Sequence, residues 1–174
     1  MPLRLNSLQI NEIEMEFERS LREANARGTI EEFLKDHNIN YDFSESFEYD
    51  RSRVRILIVG DSMIKKDKIA SIARSIGIDE KRIDYLLDYE SIKSFRFSNL
   101  QYSYKYSDVI FGPMPHSVVD KGSFSSIISR MENEDGWPNP IRSSANDSLK
   151  FTQNSITNAL METEFFKKDL SKYE

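Results

Sequence analysis

Arg53-Val54-Arg55-Ile56-Leu57-Ile58-Val59, running into Gly60-Asp61-Ser62-Met63, is the stretch on which the fold turns. Ile56 to Val59 are four consecutive apolar residues, three of them β-branched. That pattern suits a strand buried on both faces, as in a parallel sheet. Gly60 suits a tight turn at its end. Beyond it, Ile69, Ile72, Ala73 and Ile76 recur at helical spacing and predict a helix over residues 65–76, stopped by Gly77. The alternation then repeats. Residues 82–87 predict a second strand, 89–97 a short helix, and Ser107-Asp108-Val109-Ile110-Phe111 a third strand closed by Gly112-Pro113. Residues 123–132, with Phe124, Ile127, Ile128 and Met131 inward, predict a helix. Pro140-Ile141-Arg142-Ser143 predicts a fourth strand, and residues 148–166 a final helix.

Strands alternating with helices through short connections imply a parallel sheet with right-handed crossovers. For four strands the expected order is 2-1-3-4. The expected fold is therefore a Rossmann-like, flavodoxin-like α/β domain of three layers. Strands one and three are then neighbours, and their helices leave on opposite faces. The crevice between their C-terminal ends is where such sheets bind ligands.

Residues 51–174 make up this domain, and residues 1–50 read as an acidic helical arm and linker. In the arm, Ile10, Ile13, Phe17, Leu21 and Ala24 form one stripe, and Gly28 is a natural stop. Thr29, with Glu32 three residues on, has the capping-box spacing for a second helix over 30–37, with His37 as a structural helix-end residue. An isolated stripe of this size would be a large exposed patch. It is therefore expected to dock on its own core, on a second copy as a homo-oligomer, or on a protein partner. Residues 38–50 read as a linker whose aromatic residues, Tyr41, Phe43, Phe47 and Tyr49, pin it to a surface.

Composition narrows the function. The 174 residues suffice for one domain with an appendage. With no cysteine there is no disulfide framework, no thiolate zinc site and no cysteine nucleophile. The apolar runs are too short to span a membrane, and Met1-Pro2-Leu3-Arg4 lacks a signal-peptide core, so the cytoplasm is the expected compartment. The net charge of −5 is unevenly spread. Residues 1–50 hold 5 Lys/Arg against 12 Asp/Glu, whereas residues 51–131 hold 14 against 9. A mildly basic centre suits a small anion or an acidic partner segment, and it is too sparse for duplex nucleic acid.

Two loops carry the candidate site. Gly60-Asp61-Ser62-Met63 precedes a helix N-terminus, where free amides and the helix dipole favour an anion, with Lys65 adding charge. The structural reading of the same residues is that Ser62 or Asp61 caps the helix. No Gly-x-Gly-x-x-Gly and no Gly-Lys-Ser/Thr is present, against the standard dinucleotide and P-loop modes. Gly112-Pro113-Met114-Pro115-His116-Ser117 is a proline-stiffened loop that presents His116, Ser117 and then Lys121. The expected ligand-binding residues are Gly60, Asp61, Ser62, Lys65, His116, Ser117 and Lys121 around one crevice. The expected ligand is a nucleotide or phosphorylated metabolite, and no cofactor is specified. Asp61, Asp88 and His116 stand near strand tips without metal-ligand spacing, so no metal is assigned. The aromatic residues Phe95, Phe97, Tyr102, Tyr104 and Tyr106 either stack a base or, more commonly, cover a sheet edge or a subunit contact.

Residues 54–61, the strand Ser107-Asp108-Val109-Ile110-Phe111, and Pro115-His116-Ser117 together resemble a small bacterial Rossmann-like domain family, DUF2325, over residues 53–160. That resemblance implies the fold and a bacterial source, and it carries no chemistry. The family's second glycine is Asp61 here. Gly60-Asp61-Ser62 also resembles the nucleophile block of the SGNH hydrolases, which would make Ser62 the nucleophile and His116 its base. That family draws its base from Asp-x-x-His, and the residue three before His116 is Pro113. Without a complete nucleophile–base pair, the expected function is a non-catalytic module for a small anion or a protein partner. The alternatives are a Ser62 hydrolase and an assembly protein acting through its arm.

Overall fold

The computed structural model describes residues 4–42, 54–115, 118, 120, 122, 123 and 125–170. The chain divides into two compact units, Met1–Tyr49 and Asp50–Glu174.

The first unit is a helix pair. Helix α1 spans Ser7–Arg27 and α2 spans Ile30–Asp36. A capping box that the sequence reading passed over opens α1: Asn6 accepts from the Gln9 amide while the Gln9 side chain accepts from the Asn6 amide. Gly28 closes it at φ 74°. The expected capping box of Thr29 and Glu32 does not form; the Thr29 hydroxyl turns back to the Ala24 carbonyl instead. Phe17 packs at 5.4 Å from Phe33 and 5.1 Å from His37, whose Nδ1 is 2.8 Å from the Phe33 carbonyl. These three rings hold the two helices together. Ile10 and Ile13, on the same stripe, are 43% and 54% exposed.

The second unit is the Rossmann-like, flavodoxin-like domain. Strands β1 (Arg55–Val59), β2 (Ile83–Leu86), β3 (Tyr106–Phe111) and β4 (Asn139–Arg142) form one parallel sheet in the order β2-β1-β3-β4. Strand alternation sends Ile56 and Ile58 to one face and Leu57 and Val59 to the other, and all four are buried. Burying each is worth about 1.5–3 kcal/mol, which is why this stretch dominates the fold. On the first face lie α3 (Lys66–Ser75) and α6 (Gln153–Glu162), through Ile69, Ile72, Ala73, Ile156 and Leu160. On the second lie α4 (Tyr89–Ser94) and α5 (Ile127–Asn133), through Ile92, Ile127, Ile128 and Met131. The three layers follow. Phe97, on a 3-10 turn after α4, is fully buried against Phe95 and Phe111, so part of the aromatic cluster is core.

The C-terminal part corrects the expectation of one helix over 148–166. A hairpin comes first, β5 (Ser144–Ala145) against β6 (Ser148–Leu149). Its two-residue turn is Asn146-Asp147, at φ 53° and 59°. Asn and Asp tolerate this left-handed conformation best among residues with a Cβ, and the pair matches a type I′ hairpin. Thr152 and Ser155 then form a capping box that starts α6. The helix stops at Thr163, and α7 (Glu164–Leu170) begins afresh. Helix α5 likewise starts at Ile127, later than expected, because Ser126 caps it by accepting from the Ser129 amide.

The two sheet edges differ. Ser143 donates its amide to Phe111, so Ile141, two residues earlier, also faces β3, and Pro140 and Arg142 face outward. Pro140 offers no donor there, and Arg142 is tied to Glu132 of α5. At the other edge, Leu86 accepts from Gly60, so Tyr85 presents its amide and carbonyl outward. No hydrogen bond among the described residues engages them. No helix among the described residues is long and apolar enough to cross a membrane.

Candidate functional site

The two loops at the C-terminal ends of β1 and β3 do meet. Gly112 donates to Val59 at 2.8 Å, and Asp61 donates to Pro113 at 2.8 Å. Parallel neighbours bring Gly60-Asp61-Ser62 beside Gly112-Pro113, as the strand order requires. Their chemistry differs from the expectation. The space above both glycines is filled by the ring of Phe151. A Cβ at Gly60 would lie 2.7 Å from that ring, and one at Gly112 only 2.4 Å. These glycines admit an aromatic side chain of the same chain, which is 6% exposed. Phe151 is aimed there by its neighbours. Lys150 donates its amide to Ser143, and the hydroxyls of Ser143 and Ser155 bond each other and the Lys150 carbonyl.

Neither Asp61 nor Ser62 caps the next helix. Ser62 Oγ accepts from the Ile64 amide at 3.1 Å, which closes a local turn. Helix α3 starts only at Lys66, with Lys65 at its N-cap making no side-chain cap bond. Asp61 and Lys65 are exposed and Ser62 is half-buried. His116, Ser117 and Lys121 lie outside the described residues. Among the described residues no three His, Asp or Glu side chains gather as metal ligands. Asp88, at a strand tip, caps α4 by accepting from the Ser91 amide.

A second concave region lies along β2. It is a cleft of about 890 Å³ that wraps the free edge of the strand. On the α5 side its floor is Leu57 and Leu86, walled by Phe95 and Tyr106. On the α3 side Ile83 and Tyr85 line it beside Lys66 and Ala70. Four polar side chains gather at its mouth. Asp84 accepts from Arg55 Nε at 2.9 Å and from the Arg55 terminal nitrogen at 2.6 Å. It also accepts from the Tyr106 hydroxyl at 2.8 Å, with Lys105 Nζ at 3.3 Å. Lys105 Nζ also stands 4.8 Å from the centre of the Tyr106 ring.

Burial alone would raise the Asp84 pKa. The hydrogen bonds from Arg55, Tyr106 and Lys105 outweigh it and hold the carboxyl below its ordinary value of 3.8. A carboxyl with a lowered native pKa adds stability that is complete above the unfolded value and is lost as the pH falls through the native one. Asp84→Asn should therefore flatten the dependence of the urea midpoint on pH below about pH 4. An unchanged slope in that range would refute this role. Burial, with Glu80 adding to it, pushes the Tyr85 hydroxyl up to about 12. That hydroxyl is buried and has no hydrogen-bond partner among the described residues.

The sequence reading missed this cleft, although a signal was present. Arg55, Asp84 and Tyr106 interrupt apolar strands near their N-terminal ends. In the order 2-1-3 they fall on one face, with Tyr106 opposite Arg55 and Asp84 opposite Leu57, two residues along the strand. Compared with known proteins, the chain matches no family model, no curated protein and no solved structure, so its sheet order β2-β1-β3-β4 alone ties it to other Rossmann-like domains.

Proposed function

We propose that this protein is a non-catalytic binding module that recognises an anionic ligand or an acidic partner segment at the cleft along β2. The observation that carries this reading is the make-up of the cleft. It joins an apolar floor of Leu57 and Leu86 to a rim of Arg55, Lys66, Lys81 and Lys105. Ligand pockets pair such a floor with a few fixed polar groups, in volumes of about 300–1,000 Å³. Of the three carboxylates that line the cleft, Asp84 is bridged by Arg55 and Lys105 and Glu80 by Arg74, and only Asp67 stands against Lys66 and Lys81, so the rim keeps a small positive excess that favours incoming negative charge. At the strand tips, by contrast, the ring of Phe151 covers Gly60 and Gly112, and the amides of Gly60 and Asp61 are engaged by Leu86 and Pro113. Ser62 serves a turn, which supports a binding role over a hydrolytic one.

The test is an amide-resolved NMR titration of the full chain with ATP, inorganic phosphate and hexaglutamate. Shifts are expected at Arg55, Asp84, Lys105 and Tyr106, and Lys105→Glu should weaken the response about ten-fold, the scale of one charge-assisted contact. Shifts confined to residues 60–66, or none with any of the three probes, would overturn the reading.

A further inference from the structure

The cleft has a shape that a small molecule does not need: it lies on both faces of one edge strand. An extended peptide laid beside an edge strand sends alternate side chains to opposite faces, and its backbone completes the sheet. Both halves of that requirement meet at β2. Its outward groups, the amide and carbonyl of Tyr85, are without hydrogen bonds among the described residues. On one face the guest side chains would meet Leu57, Leu86 and Phe95, and on the other Lys66 and Lys81 beside the unpartnered hydroxyl of Tyr85. On the opposite edge of the sheet Pro140 offers no donor, and the Arg142 side chain is already held by Glu132.

We propose that β2 takes an extended acidic peptide of a protein partner as a fifth strand, with apolar residues on the Leu86–Phe95 face alternating with carboxylates toward Lys66 and Lys81. This rests on the reading of the cleft as the binding site. Charge complementarity selects the guest: four cations, Arg55, Lys66, Lys81 and Lys105, ring the cleft against three carboxylates, and of these Asp84 is held by Arg55 and Lys105 and Glu80 by Arg74, which leaves Lys66 and Lys81 facing only Asp67.

The experiment uses the full chain and a capped seven-residue probe, Glu-Val-Glu-Phe-Glu-Val-Glu. Two versions are N-methylated, one at its glutamates and one at its apolar residues. A paired strand directs the amides of only one set at β2, so one version should bind about ten-fold more weakly than the other, the worth of one net hydrogen bond. Hydrogen exchange of the Tyr85 amide should slow when the unmethylated probe is bound. Equal binding by both versions would overturn strand addition and leave the anion cleft standing, provided that Lys105→Glu still weakens the probe. No binding by the probe overturns the inference. If ATP, phosphate and hexaglutamate are silent as well, the proposed function falls with it. A Tyr85 amide already protected without peptide, in a chain that self-associates in sedimentation, would overturn the inference by making a second copy the occupant.

Discussion

Asp108→Ala should cost the α/β domain about 3–5 kcal/mol, the largest loss expected of any single truncation away from the apolar core. Asp108 is fully buried on β3. Its carboxyl accepts four hydrogen bonds: the amides of Glu164 at 2.8 Å and Phe165 at 3.2 Å, Asn139 Nδ2 at 3.0 Å and the Ser107 hydroxyl at 2.6 Å. The first two are the leading amides of α7, which a helix cannot satisfy internally. Thr163 Oγ1 takes the next, from Phe166. Removing the Asp108 side chain takes one acceptor from the amides of Glu164 and Phe165 and from the Asn139 side chain, and empties the space of a fully buried carboxyl, which makes this more than the loss of a surface cap. Chemical denaturation should show a lower midpoint, and limited proteolysis should open the chain near residues 160–170. Asp108→Asn keeps the shape and one carbonyl acceptor, and should lose roughly half as much. A midpoint shift under about 1 kcal/mol for the alanine variant would show that α7 is held by other contacts.

Gly112→Ala should be nearly as damaging, for a steric reason. The new methyl would sit 2.4–2.6 Å from three atoms of the Phe151 ring, well inside contact distance. Phe151 has little freedom to withdraw, because the Ser143, Lys150 and Ser155 hydrogen bonds fix the chain on either side of it. The expected cost is about 2–3 kcal/mol, or a melting temperature lower by roughly 6–10 °C. The cause is checked by a double-mutant cycle. In a Phe151→Ala background, itself destabilised, Gly112→Ala should cost almost nothing, because the clash has gone. Additive losses would mean that the glycine is needed for something other than the ring.

These two positions also mark what was legible in the sequence. The parallel sheet, its order and the two-sided core could be read from Ile56 to Val59, Val109 to Phe111 and the helical stripes, because periodicity and chirality leave few alternatives. That the β1 and β3 tips meet followed from the same topology. What fills the space between them did not follow. Phe151 arrives there through a two-residue hairpin, and Asn146-Asp147 is a weaker hairpin signal than Asn-Gly, so the segment read as the start of a helix. The carboxyl of Asp108 read as part of a strand motif; the two α7 amides that it accepts from are 56 and 57 residues away in the chain, and no local pattern encodes that contact. The Asp84 cluster was hidden in the same way, since its four residues come from two strands and the end of a third.

Pro140 has a consequence for assembly. A sheet with two open edges can stack head to tail, edge upon opposite edge, and such a heterologous contact never closes. Here the β4 edge lacks a donor at Pro140, one of its two outward positions, so β2 of one molecule finds a poorer mate on β4 of the next. Pairing of this sheet with its own kind is therefore favoured through β2 twice, around a two-fold axis, and that pairing is complete at two molecules. The proline thus works against open-ended growth by sheet pairing, and against fibres formed by that route.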